Sequence, residues 1–301
     1  MASVSVSPGE LTLLVEVSQE LTAITRDEAG NPLVGRSVTW ATTEPTVATV
    51  SATGVVSGVG AGSATITATS EGKSGSAAVS VVSSVTFASV AAGGAHTCAL
   101  TTSGAAYCWG RAESGQLGIA VPRATCQTDG GPFPCSEAPV AVGGGFAFAQ
   151  LAGGSAHTCG LTNDGSAYCW GSNSSGQLGD NSTTARNAPV PVATELKFTS
   201  IDAGAQHTCG LTSDGTAYCW GSNSRGQLGD GTTTYSFVPI AVTGGHTYQL
   251  IAAGGFSSPV SARHGHTCAL TSSGEAYCWG DNERGQLGLG SGGFDEPDLT
   301  P

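Results

Sequence analysis

The sequence predicts an all-β protein with two regions of different character, an N-terminal β-sandwich and a four-unit array of repeats. Glycine is abundant, at 46 of 301 residues, and methionine occurs once. No long segment places apolar residues at helical spacing, whereas many short segments alternate apolar and polar residues between glycine-rich turns, as half-buried strands do. From about residue 84 one pattern recurs four times, and such a repeat indicates a fold of similar, stacked units.

Residues 1–83 form the first predicted domain, and they contain no cysteine. They read as about seven short strands, among them LTLLVEV and ATITATS, separated by turn signals such as Asn31-Pro32 and Glu44-Pro45. This number of strands in about 80 residues is typical of an Ig-like sandwich.

The same region resembles the bacterial Ig-like group 2 domain over its whole length, notably in VSVSPGELTL and GRSVTWATTEPTVATVSATGVVSGVGAGSATITATS. The resemblance implies a spacer or adhesin module of a bacterial surface protein. The core positions that it implies are Trp40, Val47, Val50, Val55, Ala64 and Ile66.

Residues 84–301 form the second predicted domain, with four units around Cys98, Cys159, Cys209 and Cys268. Each unit reads roughly AGxxHTCxLTxxGxAYCWG and continues to GQLG. If Cys98 faces Cys108 across two antiparallel strands, residues 102–104 form a three-residue loop whose last position is left-handed and favours glycine. Each unit is therefore predicted to contain a β-hairpin with two directly opposed cysteines. Glycine occupies the left-handed position in all four units, at Gly104, Gly165, Gly215 and Gly274.

The ten cysteines fall into five close pairs, which predicts five structural disulfides and an oxidising compartment. Opposed Cβ atoms in a hairpin lie about 4.5–5.5 Å apart, so a small adjustment permits a disulfide. One pair differs from the rest, because it clips an insertion found only after the first unit, which makes that insertion a candidate contact surface. The pairs are Cys98/Cys108, Cys126/Cys135, Cys159/Cys169, Cys209/Cys219 and Cys268/Cys278.

A metal site is the alternative interpretation of the same motif, because His96, Cys98 and Cys108 would point to one face of the hairpin. The sequence offers no fourth ligand at fixed spacing and no CxxC motif, so it favours disulfides over a metal or redox site. The repeated histidine is then expected to be buried, hydrogen-bonded to backbone, and to hold adjacent units in register.

The four units resemble repeats of the regulator of chromosome condensation family in their AGxxHT, LTxxG, YxWG and GQLG motifs. The resemblance covers about residues 84–301 and implies a β-propeller, which in that family usually closes with seven blades. Cysteine stands at two strand positions where intracellular members commonly carry Val and Ser or Thr, which implies a version adapted to an oxidising exterior. Nucleotide exchange on a small GTPase is not expected here, because a fold does not set a function.

The last unit stops at Pro301, where the earlier units predict a further strand. Those units continue with alternating residues after Pro139, Pro189 and Pro239. Unpaired strand edges invite pairing, so we expect a partial propeller from a longer protein or a blade that another chain completes. A compact or open arc that tolerates the free edge is the third alternative.

Charge and hydropathy narrow the classes of partner. The chain has ten Lys and Arg residues and 22 Asp and Glu residues, which gives a net charge of −12. We therefore expect no basic patch that could bind nucleic acid or an anionic membrane surface. No apolar run approaches the roughly 18 residues that a membrane span needs, so no membrane insertion is expected. The chain opens MASVSVSPGE, which lacks a signal-peptide pattern, so an exported protein is expected to have its signal peptide outside this chain.

The sequence indicates no catalytic, cofactor-binding or metal-binding residue, and an enzyme is not expected because no nucleophile, base and orienting partner can be assembled. The segment 288–293 matches G-x-G-x-x-G but follows a turn and opens no helix. Asp180 and Asp230 are candidates for weak calcium binding. The sequence around them lacks the spaced run of acidic residues that forms a calcium loop. Asn173 and Asn181 fit glycosylation sequons in a loop that we expect to be exposed.

These observations favour a non-enzymatic, extracellular or cell-surface interaction protein, in which an Ig-like spacer carries a propeller that binds a protein or a glycan. A structural subunit of an extracellular assembly, self-associating through open blade edges, is the alternative, and a secreted enzyme inhibitor is a weaker one. Binding usually resides in variable loops on a rigid frame. The variable segments are 111–114, 119–138, 180–188, 230–237 and 254–264.

Overall fold

The computed structural model describes residues 1–119, 124–128, 130–258, 261–290 and 298–301. These residues form 26 β-strands with turns and loops but no helix, and so none of them belongs to a helix that could cross a membrane. The strands group into seven small sheets, which confirms the predicted all-β repeat fold. Parts of three sequence features lie outside the described residues, namely the segments 119–138, 254–264 and 288–293.

The N-terminal region contains ten strands in three sheets, with orders β1-β4-β5, β2-β10-β9-β6 and β3-β8-β7. The strands are β1 (Ser3–Ser7), β2 (Glu10–Leu14), β3 (Ser18–Glu20), β4 (Thr22–Arg26), β5 (Pro32–Leu33), β6 (Thr39–Thr42), β7 (Ala48–Val50), β8 (Val55–Gly58), β9 (Gly62–Ser70) and β10 (Lys73–Val82). β2 runs parallel to β10, and every other pair in these sheets is antiparallel.

The core of this region follows the alternation of its strands. Ala64 and Ile66 are buried, as predicted. β8 buries Val56 rather than Val55, so that predicted core position is wrong by one residue, because neighbouring residues of a strand face opposite sides. The other predicted positions pack half-buried against the core: Trp40, Val47 and Val50.

The four repeats form four antiparallel sheets. The first unit comprises β11 (Phe87–Ala92), β12 (His96–Thr101), β13 (Ala106–Arg111), β14 (Ala124–Thr128) and β15 (Gly131–Ala141). The second comprises β16 (Phe148–Gly153), β17 (His157–Thr162), β18 (Ala167–Gly171) and β19 (Arg186–Pro191). The third comprises β20 (Phe198–Ala203), β21 (His207–Thr212), β22 (Ala217–Gly221) and β23 (Ser236–Ala241). The fourth comprises β24 (Tyr248–Ser258), β25 (Ser261–Thr271) and β26 (Ala276–Gly280).

The strand that carries each recurring proline completes the sheet of its own unit. β15, β19 and β23 pair with β13, β18 and β22, the third repeat strands of their units. In the fourth unit the corresponding contact, among the described residues, is a single bridge between Gly280 and Asp298.

The predicted hairpin register is confirmed in every unit. Cys98 lies directly opposite Cys108, and the N–H of Thr101 donates to the carbonyl of Ala105 at 3.0 Å, which leaves the three-residue loop 102–104. Gly104 has the expected left-handed conformation, with φ of 83°. The paired Cα atoms are 4.1 Å apart in all four hairpin disulfides.

The fourth hairpin disulfide differs from the other three in its burial. Cys268 and Cys278 lie directly opposite each other on β25 and β26, and they form the predicted disulfide. The cysteines of the other three hairpins are 0% exposed, whereas Cys268 and Cys278 are only half-buried. The reason is that no further blade among the described residues packs a tryptophan against this pair. The sequence does not predict the partial exposure of Cys278, because the fourth unit carries the same repeat motif as the other three.

All ten cysteines are paired, so native protein is expected to show no reactive thiol when titrated with Ellman's reagent in denaturant. Reduction before the titration should expose all ten, which is the control for reagent access. Eight or more thiols in unreduced protein would contradict the hairpin disulfides.

Two hairpins extend beyond the repeat. β14 and β15 form the insertion hairpin, clipped by Cys126–Cys135 with a Cα separation of 5.8 Å. β24 and β25 continue together as far as Ser258 and Ser261. The described part of the segment 254–264 is therefore a hairpin, whereas the sequence predicted a variable loop.

Each of the first three units packs on the next through an apolar core of the same composition. Between the second and third units this core joins the disulfide Cys159–Cys169 to Leu178 of GQLG and to Trp220 of the following unit. The disulfide of one unit and the tryptophan of the next therefore share one interface. Matching cores contain Cys98, Cys108, Leu117 and Trp170, and Cys209, Cys219, Leu228 and Trp279.

The antiparallel strands place two kinds of loop at opposite ends of each unit. One end, which we call the loop face, carries the connection between the first two strands (154–156 in the second unit) and the loop through GQLG (172–179). The other end, the hairpin face, carries the three-residue turn (163–165) and the connection to the next unit (192–197).

Gly171 shows why the YCWG motif ends in glycine at the loop face. Its φ of 105° lies in the left-handed region that side chains rarely adopt. A Cβ atom there would lie 2.7 Å from the carbonyl oxygen of Ala156 and from the Cα of His157. The third strand therefore passes close to the histidine that begins the second.

Candidate functional site

The repeated His, Thr, Gln and Trp residues form one hydrogen-bonded cluster between neighbouring units, which we call the His–Thr junction. Nε2 of His157 lies 3.0 Å from Oγ1 of Thr208 in the next unit. Thr208 donates to the carbonyl of Gln177 at 2.8 Å, and Nε1 of Trp220 donates to the same carbonyl at 3.0 Å. The other junctions are His96–Thr158–Gln116–Trp170 and His207–Thr267–Gln227–Trp279.

These contacts place the imidazole proton on Nε2. The single hydroxyl proton of Thr208 is donated to Gln177, so the hydroxyl oxygen must accept from His157. Nδ1 of His157 and of His96 is buried without a hydrogen-bond partner among the described residues. A second proton on either ring would therefore be a buried, unpaired donor.

Burial keeps these rings neutral. It lowers the pKa of His157 to about 3 and that of His207 to about 3. It lowers the pKa of His96 to about 4. The neutral imidazole is thus the form that joins the units at neutral pH.

The junction corrects one sequence prediction. The histidine is buried and does connect adjacent units, but its expected bond to backbone is wrong, since the partner is a threonine hydroxyl. The cysteines beside it are disulfides, so Cys98 and Cys108 offer no thiolate to the metal alternative. Sequence reasoning missed the threonine, because Thr158 lies 62 residues from His96 and gives no local signal.

Asn173 and Asp180 have structural roles on the loop face. Asn173 is 1% exposed and donates its amide to Asp180 at 2.9 Å, so the expectation of an exposed sequon at this position is wrong. Burial alone would raise the pKa of Asp180, but hydrogen bonds from Ser182 and Arg186 hold it below its usual range. Arg186 also forms an ion pair with Asp180 at 2.7 Å, and these contacts occupy the carboxylate considered for calcium.

A polar cavity of ≈ 420 Å³ opens on the loop face. It is lined by the first connections of three units and by the loops that follow the first two YCWG motifs. The described residues of its lining include no aromatic side chain. Arg111 and Glu113 form an ion pair in its wall, with 2.9 Å between Nε and Oε1. The larger polar residues of the lining are Arg111, Glu113, Gln116, Gln177 and Gln206.

A second cavity of ≈ 250 Å³, lined mainly by glycine, adjoins the first. The two share Gly94, Ser155 and Gly255. Glycine is required in the wall: a Cβ atom on Gly154 would lie 2.6 Å from the carbonyl oxygen of Gly204 in the next unit. The AG entry motif thus allows the backbones of successive units to approach closely.

Two positions in the lining of the polar cavity differ between units, whereas the junction residues, including Gln116 and Gln177 of the same lining, are identical. The residue after YCWG is Arg111, Ser172, Ser222 or Asp281, and the residue before the junction histidine is Ala95, Ala156, Gln206 or Gly265. The His, Thr, Cys and Trp residues and the GQLG motif recur in all four units. The loop face is therefore a variable surface on an invariant frame.

The extended hairpins emerge at the same face. Cys135 of the insertion hairpin pairs with Arg111, whose guanidinium lies 4.9 Å from the ring centre of Phe133. The extension of β24 and β25 begins beyond the pair Gly254 and His266. Since the segments 180–188 and 230–237 also follow GQLG, the described parts of all five predicted variable segments lie at the loop face.

Comparisons with known proteins agree with this architecture. A profile of the RCC1-like domain matches residues 13–301, which extends across the predicted boundary at residue 83. The structure of human WBSCR16 is similar at 25% identity, with a TM-score of 0.58 over 72% of this chain and 52% of that one. The structure of yeast RCC1 (Prp20) bound to Kap60 is similar at 21% identity, with a TM-score of 0.57 over 79% of this chain and 58% of that one.

A curated relative matches a short segment. An α-L-arabinofuranosidase of Bifidobacterium longum subsp. longum is 49% identical over 63 residues, which is 21% of this chain and 6% of that enzyme. The chain thus spans little more than half of the solved relatives and a small part of the curated one. The solved relatives identify the four units as blades of an RCC1-like β-propeller.

Proposed function

Since the chain belongs to the RCC1-like domain family, we propose that it is a non-enzymatic binding module whose loop face recognises a protein partner. One observation carries the proposal: the loop-face cavity combines positions that differ between units, such as those of Arg111 and Gln206, with Gln116 and Gln177 of the invariant junctions. Variable side chains held on a fixed frame are typical of a scaffold that presents a binding surface.

The chemistry of the cavity suits a protein segment. Its amide and hydroxyl groups, among them Gln177, Gln206 and Ser172, suit hydrogen bonding to a peptide backbone. Among the solved relatives, yeast RCC1 is bound to Kap60, which is a precedent for protein binding by this fold.

We further propose an extracellular or cell-surface location, with the N-terminal sheets as an Ig-like spacer. The five disulfides support this location, because disulfides form and persist in oxidising compartments. The N-terminal sheets enclose their own core, and Val17 packs on the core between the first and second blades. A spacer attached in this way leaves the loop face of the later blades available.

Site-specific photo-crosslinking tests the function in the full-length, oxidised protein. A photoreactive residue at exposed Ser174 on the loop face is compared with one at exposed Asn163 on the hairpin face of the same blade. We expect a partner protein to crosslink from position 174 and not from position 163, with excess unmodified protein competing. Crosslinking from position 163 alone, or exclusively to glycan, would contradict the proposal.

Self-association remains a second candidate, favoured by one observation. On its outer side, β26 is paired in the described residues only by the bridge between Gly280 and Asp298, and an open edge can accept a strand from another chain. Light scattering over a wide concentration range separates the candidates. A mass that rises with concentration supports assembly, whereas a constant monomer mass contradicts it.

A further inference from the structure

The fourth blade differs from the other three at two neighbouring positions of the loop face. His264 stands where the other blades have Gly94, Ser155 and Ala205, two residues before the junction histidine. Asp281 stands where they have Arg111, Ser172 and Ser222, directly after YCWG. One backbone hydrogen bond is the same, since the N–H of Asp281 donates to the carbonyl of Gly265 at 2.9 Å as that of Ser172 does to Ala156 at 2.8 Å. His264 lies in the extended part of β25, where the other blades have a short connection.

The changed side chains converge with Glu283. Nδ1 of His264 lies 3.0 Å from Oδ2 of Asp281 and 3.6 Å from Oε2 of Glu283. One nitrogen or oxygen of each residue lies within 4.8 Å of the other two. His264 is 6% exposed and Asp281 is 1% exposed, so the group is largely removed from solvent.

The spacing suits a tetrahedral cation. Ligand atoms bound at about 2.0–2.1 Å in tetrahedral geometry lie roughly 3.4 Å apart, and both measured distances from His264 fall within about half an ångström of that value. An imidazole nitrogen with two carboxylates is a ligand set for zinc and related transition ions, whereas magnesium and calcium prefer oxygen ligands alone.

Neighbouring groups hold both carboxylates in place. Nε2 of Gln286 donates to Oδ2 of Asp281 at 2.6 Å. Arg225 of the third blade pairs with Oε1 of Glu283, which leaves Oε2 facing His264. Hydrogen bonds of this kind orient ligands in metal sites.

The charge of the group also favours a cation. Among the described residues, one guanidinium pairs with the two carboxylates of the cluster, so with a neutral imidazole these groups have a net charge of −1. A buried net charge is costly unless it is compensated. A bound cation or a proton on His264 would compensate this charge. The first possibility predicts zinc binding, and the second predicts an imidazole with two protons.

We propose that His264, Asp281 and Glu283 bind a divalent transition-metal ion of the zinc class, with a fourth coordination position for water or a partner side chain. The site belongs to the fourth blade alone, since the equivalent positions of the first three offer no such ligand set. It does not depend on the identity of the protein partner.

Zinc titration of the metal-stripped, oxidised full chain tests the site, with isothermal calorimetry as the readout. The double variant H264A/D281S replaces both residues by those that the third blade carries, Ala205 and Ser222, so its fold is expected to persist and is checked by circular dichroism. We expect one zinc per wild-type chain and at least about 100-fold weaker binding in the variant, because removing outer partners alone costs about 10- to 100-fold. The control H246A removes a histidine that stacks on Tyr277 outside the site, and it should bind as wild type.

Three results would overturn the proposal. The first is the absence of zinc binding by the wild type, and the second is equal binding by wild type and H264A/D281S. The third is an NMR titration in which the His264 imidazole carries two protons at neutral pH and its signals do not change when zinc is added. The cluster would then be a proton-balanced ion-pair network.

Discussion

Replacing Trp220 by alanine is expected to lower the free energy of unfolding by about 3–5 kcal/mol, the range for removal of a large buried aromatic residue. Trp220 is fully buried between the second and third blades. It packs on the disulfide Cys159–Cys169 and on Leu178, and its indole N–H donates to Gln177. The substitution therefore leaves a cavity in the interface and removes one bond of the His–Thr junction. Urea unfolding of oxidised protein measures the effect.

Trp109 is the matched control, because it occupies the same repeat position in the first blade. Its side chain is half-buried and contacts Phe87 within its own blade. The W109A variant is expected to lose no more than about half as much stability, since hydrophobic stabilisation scales with the area buried. Equal losses in the two variants would show that the interface between blades does not carry the stability.

Acid is expected to destabilise the fold steeply as the pH falls from about 6 to about 4.5. The unfolded chain has histidines with pKa near 6.5, whereas burial lowers the pKa to about 4 for His96 and to about 3 for His157 and His207. Between these values the unfolded state binds protons that the folded state excludes, so the free energy of unfolding decreases as pH decreases. Above about pH 6.5 both states are neutral at these positions, and this dependence disappears.

The slope of the free energy of unfolding against pH is expected to approach three protons between pH 6 and 4.5 for the three junctions, and burial also lowers the pKa of His266, which adds to this slope. Burial raises the pKa of Asp202, and this group opposes the trend by at most one proton. The variant H157Q removes one titrating ring, so its slope is expected to fall by about one proton. A wild-type stability that is flat over this range would contradict the neutral His–Thr junction.

The sequence alone predicted the hairpins, because their determinants are local. The ten-residue cysteine spacing and the position of Gly104 fix the register and the turn without any knowledge of the neighbouring blades. The partial exposure of Cys278 was not predicted, since burial of a hairpin disulfide depends on the blade that packs against it. The core of the N-terminal region was predicted less well at Val55, since a short strand gives little evidence for which of two adjacent valines faces inward.

The candidate site could not be predicted in the same way, because it depends on contacts between blades. His157 and Thr208 are 51 residues apart, so no local pattern pairs them. The cluster of His264 with Asp281 was also missed, since these residues lie outside the repeat motif that drew attention to the cysteines. The variable segments were identified from the sequence, but their common face follows only from the strand directions. Comparing the units position by position would have singled out His264 and Asp281, because only the fourth unit carries these residues there.

The most direct test of the account is the affinity of the crosslinked partner for two variants of the second blade. S172R places in the loop-face cavity the residue that the first blade carries as Arg111, whereas K197A changes an exposed side chain on the hairpin face. If the loop face binds the partner, S172R should raise Kd by about 10-fold or more, as central interface substitutions do, and K197A should leave it unchanged. An unchanged Kd for S172R together with a raised Kd for K197A would contradict the assignment of function to the loop face.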